Sequence, residues 1–189
     1  MSQTDQRALT VTKFWRDAGM QAWFTKDAGF DTKFRNEFLD LHFVAARREL
    51  DGWVDTVEGA LALMILLDQF PRNCFRGTGH MFATDSLARY YAARAIDLGH
   101  DMAVDEEIRV FFYLPLEHSE HLEDQKKSVE LHKKNAESYL KYAVDHVEII
   151  ERFGRFPHRN PQLGRMTTPD EKAFLDSGGL GAVVSVMKA

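Results

Sequence analysis

Apolar residues recur along this chain at intervals of three and four, the period of a helix that buries one face. Val11, Phe14, Trp15 and Ala18 make the first stripe, with Gly19 as its predicted stop and Trp23 and Phe24 in a connector. Phe34, Phe38, Leu41 and Ala45 make the second, behind Asp31 as the predicted N-cap. Asp55 and Glu58 match a capping box ahead of Ala60–Leu67. That run is apolar all round, so it is expected to be buried on every side. Pro71 lacks a backbone N–H and is expected to kink or end this helix, ahead of the break at Gly77-Thr78-Gly79.

Thr84 or Asp85 opens a helix through Leu87, Tyr91 and Leu98, stopped by Gly99. Asp105 opens one with Ile108, Phe111 and Phe112, ended by Pro115, and Ser119 caps the next, which carries Leu122 and Val129. Leu140, Ala143, Val147 and Ile150 mark a seventh, closed by Gly154. Thr168-Pro169-Asp170-Glu171 reads as a helix start, with a cap, proline at the first position and an acid at the third. No stretch alternates apolar and polar residues over the length of a strand. The predicted fold is all-α: seven or eight antiparallel helices on short loops, a tetratricopeptide-like stack of helical hairpins without a clear sequence repeat. One domain is expected to span 1–189, with an ordered core over about 9–176 and a loosely held, Gly-rich tail over 177–189.

Composition narrows the function classes. The 189 residues are 44% apolar and 28% charged, which is the make-up of a folded chain and not of a disordered tail. The net charge of −5 argues against nucleic acid as a partner, because binding a phosphate backbone takes a positive footprint. The longest apolar run, Ala60–Leu67, is far short of the roughly 20 residues that cross a bilayer, so no membrane partner is expected. A single cysteine, Cys74, and a polar start without a signal-like apolar core point to a cytoplasmic protein.

Three segments set charged and polar side chains beside apolar runs. In Asp68-Gln69-Phe70-Pro71-Arg72-Asn73-Cys74-Phe75-Arg76, the residues Asp68, Arg72 and Arg76 lie four apart, on one face if the helix continues past Pro71. Buried charges pair or bind something, so the choice is between an internal Asp68–Arg72 pair and a ligand role. Glu117-His118-Ser119, followed by Gln125, offers an acid and an imidazole for proton transfer, or simply a helix cap. Arg152–Asn160 gathers Arg155, His158, Arg159 and Asn160 beside Phe153 and Phe156. Its extended donors suit a phosphate or carboxylate, and its aromatic residues argue against a fully solvated loop. No Glu-x-x-His, His-Glu-x-x-His, Walker loop or Gly-x-Ser-x-Gly occurs, so no metal is assigned and no cofactor is named. Cys74, among aromatic residues, reads as a core side chain.

The run Leu61–Gly77 resembles the signature of a bacterial family, domain-of-unknown-function family nine-two-four. The likeness extends through Phe82–Asp85, Phe112–Glu120, Arg152–Asn160 and Thr168–Glu171, and so covers about Phe14 to Leu175. The resemblance implies a tetratricopeptide-like, all-helical fold and no established activity. Cys74 stands where that family usually carries an aliphatic residue, which weakens thiol chemistry.

The leading expectation is a cleft between helices that binds a small anionic metabolite. Asp68, Gln69, Arg72, Asn73, Arg76, Gln125, Arg155, Arg159 and Asn160 are its binding residues, and Glu117, His118 and His158 its acid–base candidates. Two alternatives stand beside it: a non-enzymatic module for a protein partner, peptide or second copy of the chain, and a polar cluster that is purely structural.

Overall fold

Every regular element among the described residues is helical. The computed structural model describes residues 3–180. These fall into two compact units that divide between Pro115 and Leu116.

The first unit holds α1 (Gln6–Phe24), α2 (Ala28–Ala46), α3 (Val57–Met64), α4 (Phe70–Cys74), α5 (Asp85–Asp97) and most of α6 (Glu106–Glu117). Gly19 does interrupt α1, with φ 73° and ψ 170°, but the helix resumes and carries Trp23 and Phe24, which the sequence placed in a connector. Trp23 stays helical because its ring is buried against Trp15 and its Nε1 donates to the Trp15 carbonyl at 2.6 Å. The N-cap of α2 is Asp27, whose carboxylate accepts from the N–H groups of Gly29 and Phe30. Asp31 is thereby left inside the first turn with its side chain free to reach elsewhere. Thr56, not Asp55, caps α3 through the Gly59 N–H. Glu58 then points to Arg16, at 2.7 Å.

Ala60–Leu67 is wholly buried, as its pattern requires. Pro71 does not end this helix. A π-helical turn over Ile65–Gln69 joins α3 to α4, and the Phe70 N–H bonds the Ile65 carbonyl. This leaves the Leu66 carbonyl without its usual donor, and Pro71 has no N–H to offer Leu67. Side chains from elsewhere supply both: His42 Nδ1 donates to Leu66 O at 2.8 Å and Thr84 Oγ1 to Leu67 O at 2.6 Å. The α3–α4 rod therefore passes through a proline because α2 and the start of α5 satisfy its backbone. If this rod is taken as one helix, the described residues hold eight. On α5 the small residues Ala88, Ala92 and Ala95 face inward with Tyr91, whereas Leu98 is exposed.

The second unit holds the end of α6, then α7 (Leu122–Asn135), α8 (Leu140–Phe153) and α9 (Pro169–Asp176). Pro115 sits within α6, which runs two residues further than predicted, to Glu117. Helices α7 and α8 pack as a hairpin across the short turn Glu137–Tyr139. Gly154 closes α8 in the left-handed region, φ 68°, as its place after Phe153 predicts. Thr168 and Glu171 form the predicted capping box of α9. Ile149, Ile150 and Phe156 form the apolar centre, with Leu122, Phe153, Phe174 and Leu180 packed on it. Of the predicted tail, residues 181–189 lie outside the described residues.

Candidate functional site

The polar run of the first unit is organised by the π turn. Asp68 is buried on it, and its carboxylate accepts from Gln69 Nε2 at 2.6 Å and pairs with Arg72 Nη1 at 3.1 Å. Arg72 also makes a two-pronged bond to Asp85, 2.8 and 3.0 Å. Burial works against the Arg72 charge, but Asp68 and Asp85 outweigh it and raise its pKa. Asn73 Nδ2 and Arg76 Nε both reach Asp31, at 2.8 and 3.0 Å. Helix α2 thus holds the far end of the rod through the carboxylate that its cap left unused. Burial, then the neighbouring Asp31 carboxylate, push the Cys74 thiol up to about 12, so it is no nucleophile.

The other two predicted segments meet each other in the second unit. Glu117 is the last residue of α6 and is 3% exposed. Gln125, fully buried on α7, turns its amide back to donate to the carbonyls of Glu117 and Ser119 at 2.5 and 2.6 Å. The Glu117 carbonyl is one of those that a helix C-terminus leaves over, so Gln125 closes α6 and ties down the turn that follows it. The Gln125 Oε1 is buried and has no hydrogen-bond partner. Ser119 Oγ accepts from the His121 N–H and donates to Asp124, an arrangement near to, though not identical with, the predicted cap.

The Arg155–Asn160 segment is held by two carboxylates. Glu171 takes Arg155 through two bonds of 2.6 and 2.9 Å, accepts from Asn160 Nδ2 at 3.2 Å and from the Thr168 N–H at 2.7 Å. Arg155 first, then the Thr168 N–H, lower its pKa to about 2. Glu120 accepts from the Phe156 N–H at 2.8 Å and pairs with Arg165 at 2.8 Å. Burial resists its ionisation, but Arg165 and that N–H hold its pKa below the ordinary value. Arg159 lies 6% exposed over the Phe156 ring, 4.6 Å from its centroid, and donates to the His118 carbonyl at 2.8 Å. That bond joins the two segments.

Between them lie two histidines that the sequence reading passed over. His132 on α7 and His146 on α8 approach Glu117 at 3.7 Å (Nε2 to Oε2) and 3.2 Å (Nδ1 to Oε1). The His118 ring stands 6.3 Å from that of His146, and Phe156 contacts both His146 and His158 at 5.5 Å. Burial pushes the pKa of His132 down. Burial first, then the charges of His118, His158 and Arg159, push His146 to about 3, so both imidazoles are neutral near neutral pH when taken singly. The signal for these residues was the stripe they occupy. Gln125, Ser128 and His132 on α7, and Ala143, His146 and Ile150 on α8, follow a three–four spacing that should read apolar.

These features define an all-α protein with a buried polar network in each unit, that of the second holding a carboxylate and imidazoles. The chain belongs to a bacterial family of proteins of unknown function (DUF924), whose profile matches residues 11–179. It is similar to the solved structure of a protein of unknown function, ATU0120 from Agrobacterium tumefaciens. The two are 55% identical, with a TM-score of 0.89 over 91% of this chain and 98% of that one. No curated protein matches it. Among the described residues no helix is long and apolar enough to cross a membrane.

Proposed function

We propose that the second unit binds a small anionic metabolite and transfers a proton to or from it. The half-buried His118 and His158 form the rim, Glu117 and His146 the floor, and Arg159 carries the charge that attracts the anion. Gln125, Arg155 and Asn160 hold the backbone around them. The observation that carries this reading is the Arg159–His118 bond of 2.8 Å, which joins a guanidinium, two rim imidazoles and a buried carboxylate through a chain of contacts. His146 Nδ1 lies 2.8 Å from the Tyr142 carbonyl, which fixes its hydrogen there and leaves Nε2 as its accepting atom. An anion beside His118, His158 and Arg159 offsets part of what depresses His146, burial being the larger part, and so moves its pKa upward.

The run Asp68–Arg76 takes the structural reading. Its guanidiniums already meet carboxylates of their own unit, Arg72 with Asp68 and Asp85, Arg76 with Asp31.

Titration of the labelled protein with inorganic phosphate and with small carboxylates, followed by NMR, tests the proposal. The ring signals of His118, His146 and His158 are expected to shift together. Arg159→Gln and His158→Gln are each expected to weaken binding by about tenfold, the loss of one charge-assisted bond. Shifts confined to surface lysines, or binding untouched by both substitutions, refute it.

A further inference from the structure

His146 has its tautomer set from one side and its ring plane from two others. Its Nδ1 faces two oxygens, the Tyr142 carbonyl at 2.8 Å and Glu117 Oε1 at 3.2 Å. A carbonyl only accepts, so Nδ1 keeps a hydrogen and the neutral ring carries its lone pair on Nε2. Two rings stand steeply against it, Phe156 at 5.5 Å and 78° and His118 at 6.3 Å and 65°. None of these contacts engages Nε2 in a hydrogen bond. The charges of His118, His158 and Arg159 all bear on the ring, which is 8% exposed and lies at the floor of the site.

A nucleophilic imidazole needs a lone pair held in place on one nitrogen and, on the other, an acceptor that steadies the charge the ring gains in attack. His146 has the first in Nε2 and the second in Tyr142 and Glu117. The cations around it suit one kind of electrophile. A phosphoryl group spreads negative charge over three oxygens and takes charge-assisted bonds from several donors at once. A carboxylate meets the same cations but offers no reactive centre, so it would bind and stay.

We infer that His146 Nε2 accepts a phosphoryl group from a small acyl phosphate bound in this site, making a phosphohistidine. The Nε2 lone pair forms the N–P bond as the P–O bond to the acyl group breaks. The acyl oxygen leaves with the bonding pair as a carboxylate, which needs no proton, and Nδ1 keeps its hydrogen throughout. The oxygens at Nδ1 then steady the positive ring. The assignment rests on the anion site given under Proposed function, and adds the class of its ligand and the fate of the phosphoryl group.

Acetyl phosphate, added to the full chain at neutral pH, tests it, with peptide mass mapping and phosphorus NMR as readouts. The expected product is one phosphoryl group on His146, lost in acid as an N–P bond is, and formed at least about tenfold faster than any on the exposed His121. Arg159→Gln is expected to slow labelling by about tenfold, the loss of one charge-assisted bond, and His146→Gln to abolish it. The wild-type map decides even if His146→Gln does not fold. Acetylated lysines with His146 unlabelled, or His121 labelled as fast as His146, overturn the inference. Inorganic phosphate separates it from the reading beneath it. Phosphate that shifts the His118, His146 and His158 signals in a protein that acetyl phosphate never labels overturns the phosphoryl transfer alone. Neither shift nor label overturns the anion site and the transfer with it; a label on His146 without those shifts supports the transfer and refutes the reading of proton exchange with a resident anion.

Discussion

Gly59→Ala tests how closely α3 is built against the turn that precedes it. Gly59 is the third residue of α3 and its backbone is helical, so on an open helix surface alanine would stabilise by about 1 kcal/mol. Here an added Cβ would lie 2.2 Å from the Trp53 carbonyl oxygen and 2.7 Å from Thr56 Oγ1. The first is backbone, so it cannot swing away; it must retreat by roughly 1 Å to reach van der Waals contact. That carbonyl accepts the Thr56 N–H, a bond whose loss costs about 1 kcal/mol. Displacing Thr56 Oγ1 from the Gly59 N–H removes the N-cap, about 1 kcal/mol more. Shifting the buried Trp53 and Val54 adds the overpacking cost of about 1–3 kcal/mol. Less the propensity gain, the net loss is about 2–4 kcal/mol.

Trp15, Trp23 and Trp53 all lie in the first unit, so tryptophan fluorescence in a urea titration follows that unit alone. With a slope of about 2–3 kcal/mol per molar urea, the midpoint is expected to fall by roughly 1 M. Gly52→Ala is the control, because nothing lies within 4 Å of its added Cβ; its midpoint is expected to stay put or rise. A Gly59→Ala protein as stable as the wild type refutes the packing argument.

Three further outcomes follow from the same contacts. Thr84→Val removes the hydroxyl that serves the Leu67 carbonyl and should cost about 1–3 kcal/mol in thermal unfolding; an unchanged Tm means that this carbonyl has another donor. The second unit should lose stability steadily in acid, for two reasons of the same sign. His146, ordinarily 6.5, sits at about 3 when folded, so the unfolded chain takes its proton first and stability falls between these values by about 1.4 kcal/mol per pH unit. Glu171, ordinarily 4.5, sits at about 2, so its carboxylate stabilises above 4.5 and that contribution is lost as pH falls toward 2. Urea midpoints at a series of pH values should flatten above pH 4.5 in His146→Gln, whereas Glu171→Gln should keep the slope above pH 4.5 and fall less steeply than the wild type below it; parallel curves for all three proteins contradict both assignments. Cys74, with its pKa pushed to about 12, should react with a thiol reagent at pH 8 far more slowly than a free thiol, and at the normal rate in denaturant.

The helices were legible because each keeps one apolar face for several turns, and Gly99, Gly154 and the Thr168–Glu171 capping box marked ends that held. The missed boundaries share a cause. Asp27 and Asp31 both suit a cap, as do Asp55 and Thr56, and which one leaves the helix is decided by a contact elsewhere, such as Asp31 with Asn73 and Arg76. Pro71 reads locally as a break. Donors 24 and 17 residues away, His42 and Thr84, overrule it, and no local pattern announces them. The polar segments of the candidate site stood out because they interrupt aromatic runs. Their partners Glu171, Glu120 and Arg165 did not, since sequence gives no pairing between residues 16 to 45 positions apart. His132 and His146 stayed hidden for another reason: a lone histidine on an apolar stripe is usually a satisfied core side chain, and only the convergence of two upon Glu117 marks them out.

The two polar networks answer different physical needs. In the first unit, Asp68 and Asp85 hold Arg72, and Asp31 holds Arg76, around a π turn that a plain helix would not have. Such pairing holds a rod in place and leaves little to react. At the centre of the second unit a carboxylate is instead set against imidazoles that burial keeps neutral, while the arginines of the Arg155–Asn160 segment and of Arg165 are bound at its edges. Hydrophobic side chains of like volume would usually stabilise such a centre as well or better. Buried ionisable groups with perturbed titration concentrate where proteins bind or move protons. The Glu117–His132–His146 centre, not the arginine-rich runs that draw the eye in the sequence, is therefore where chemistry in this fold should be sought first.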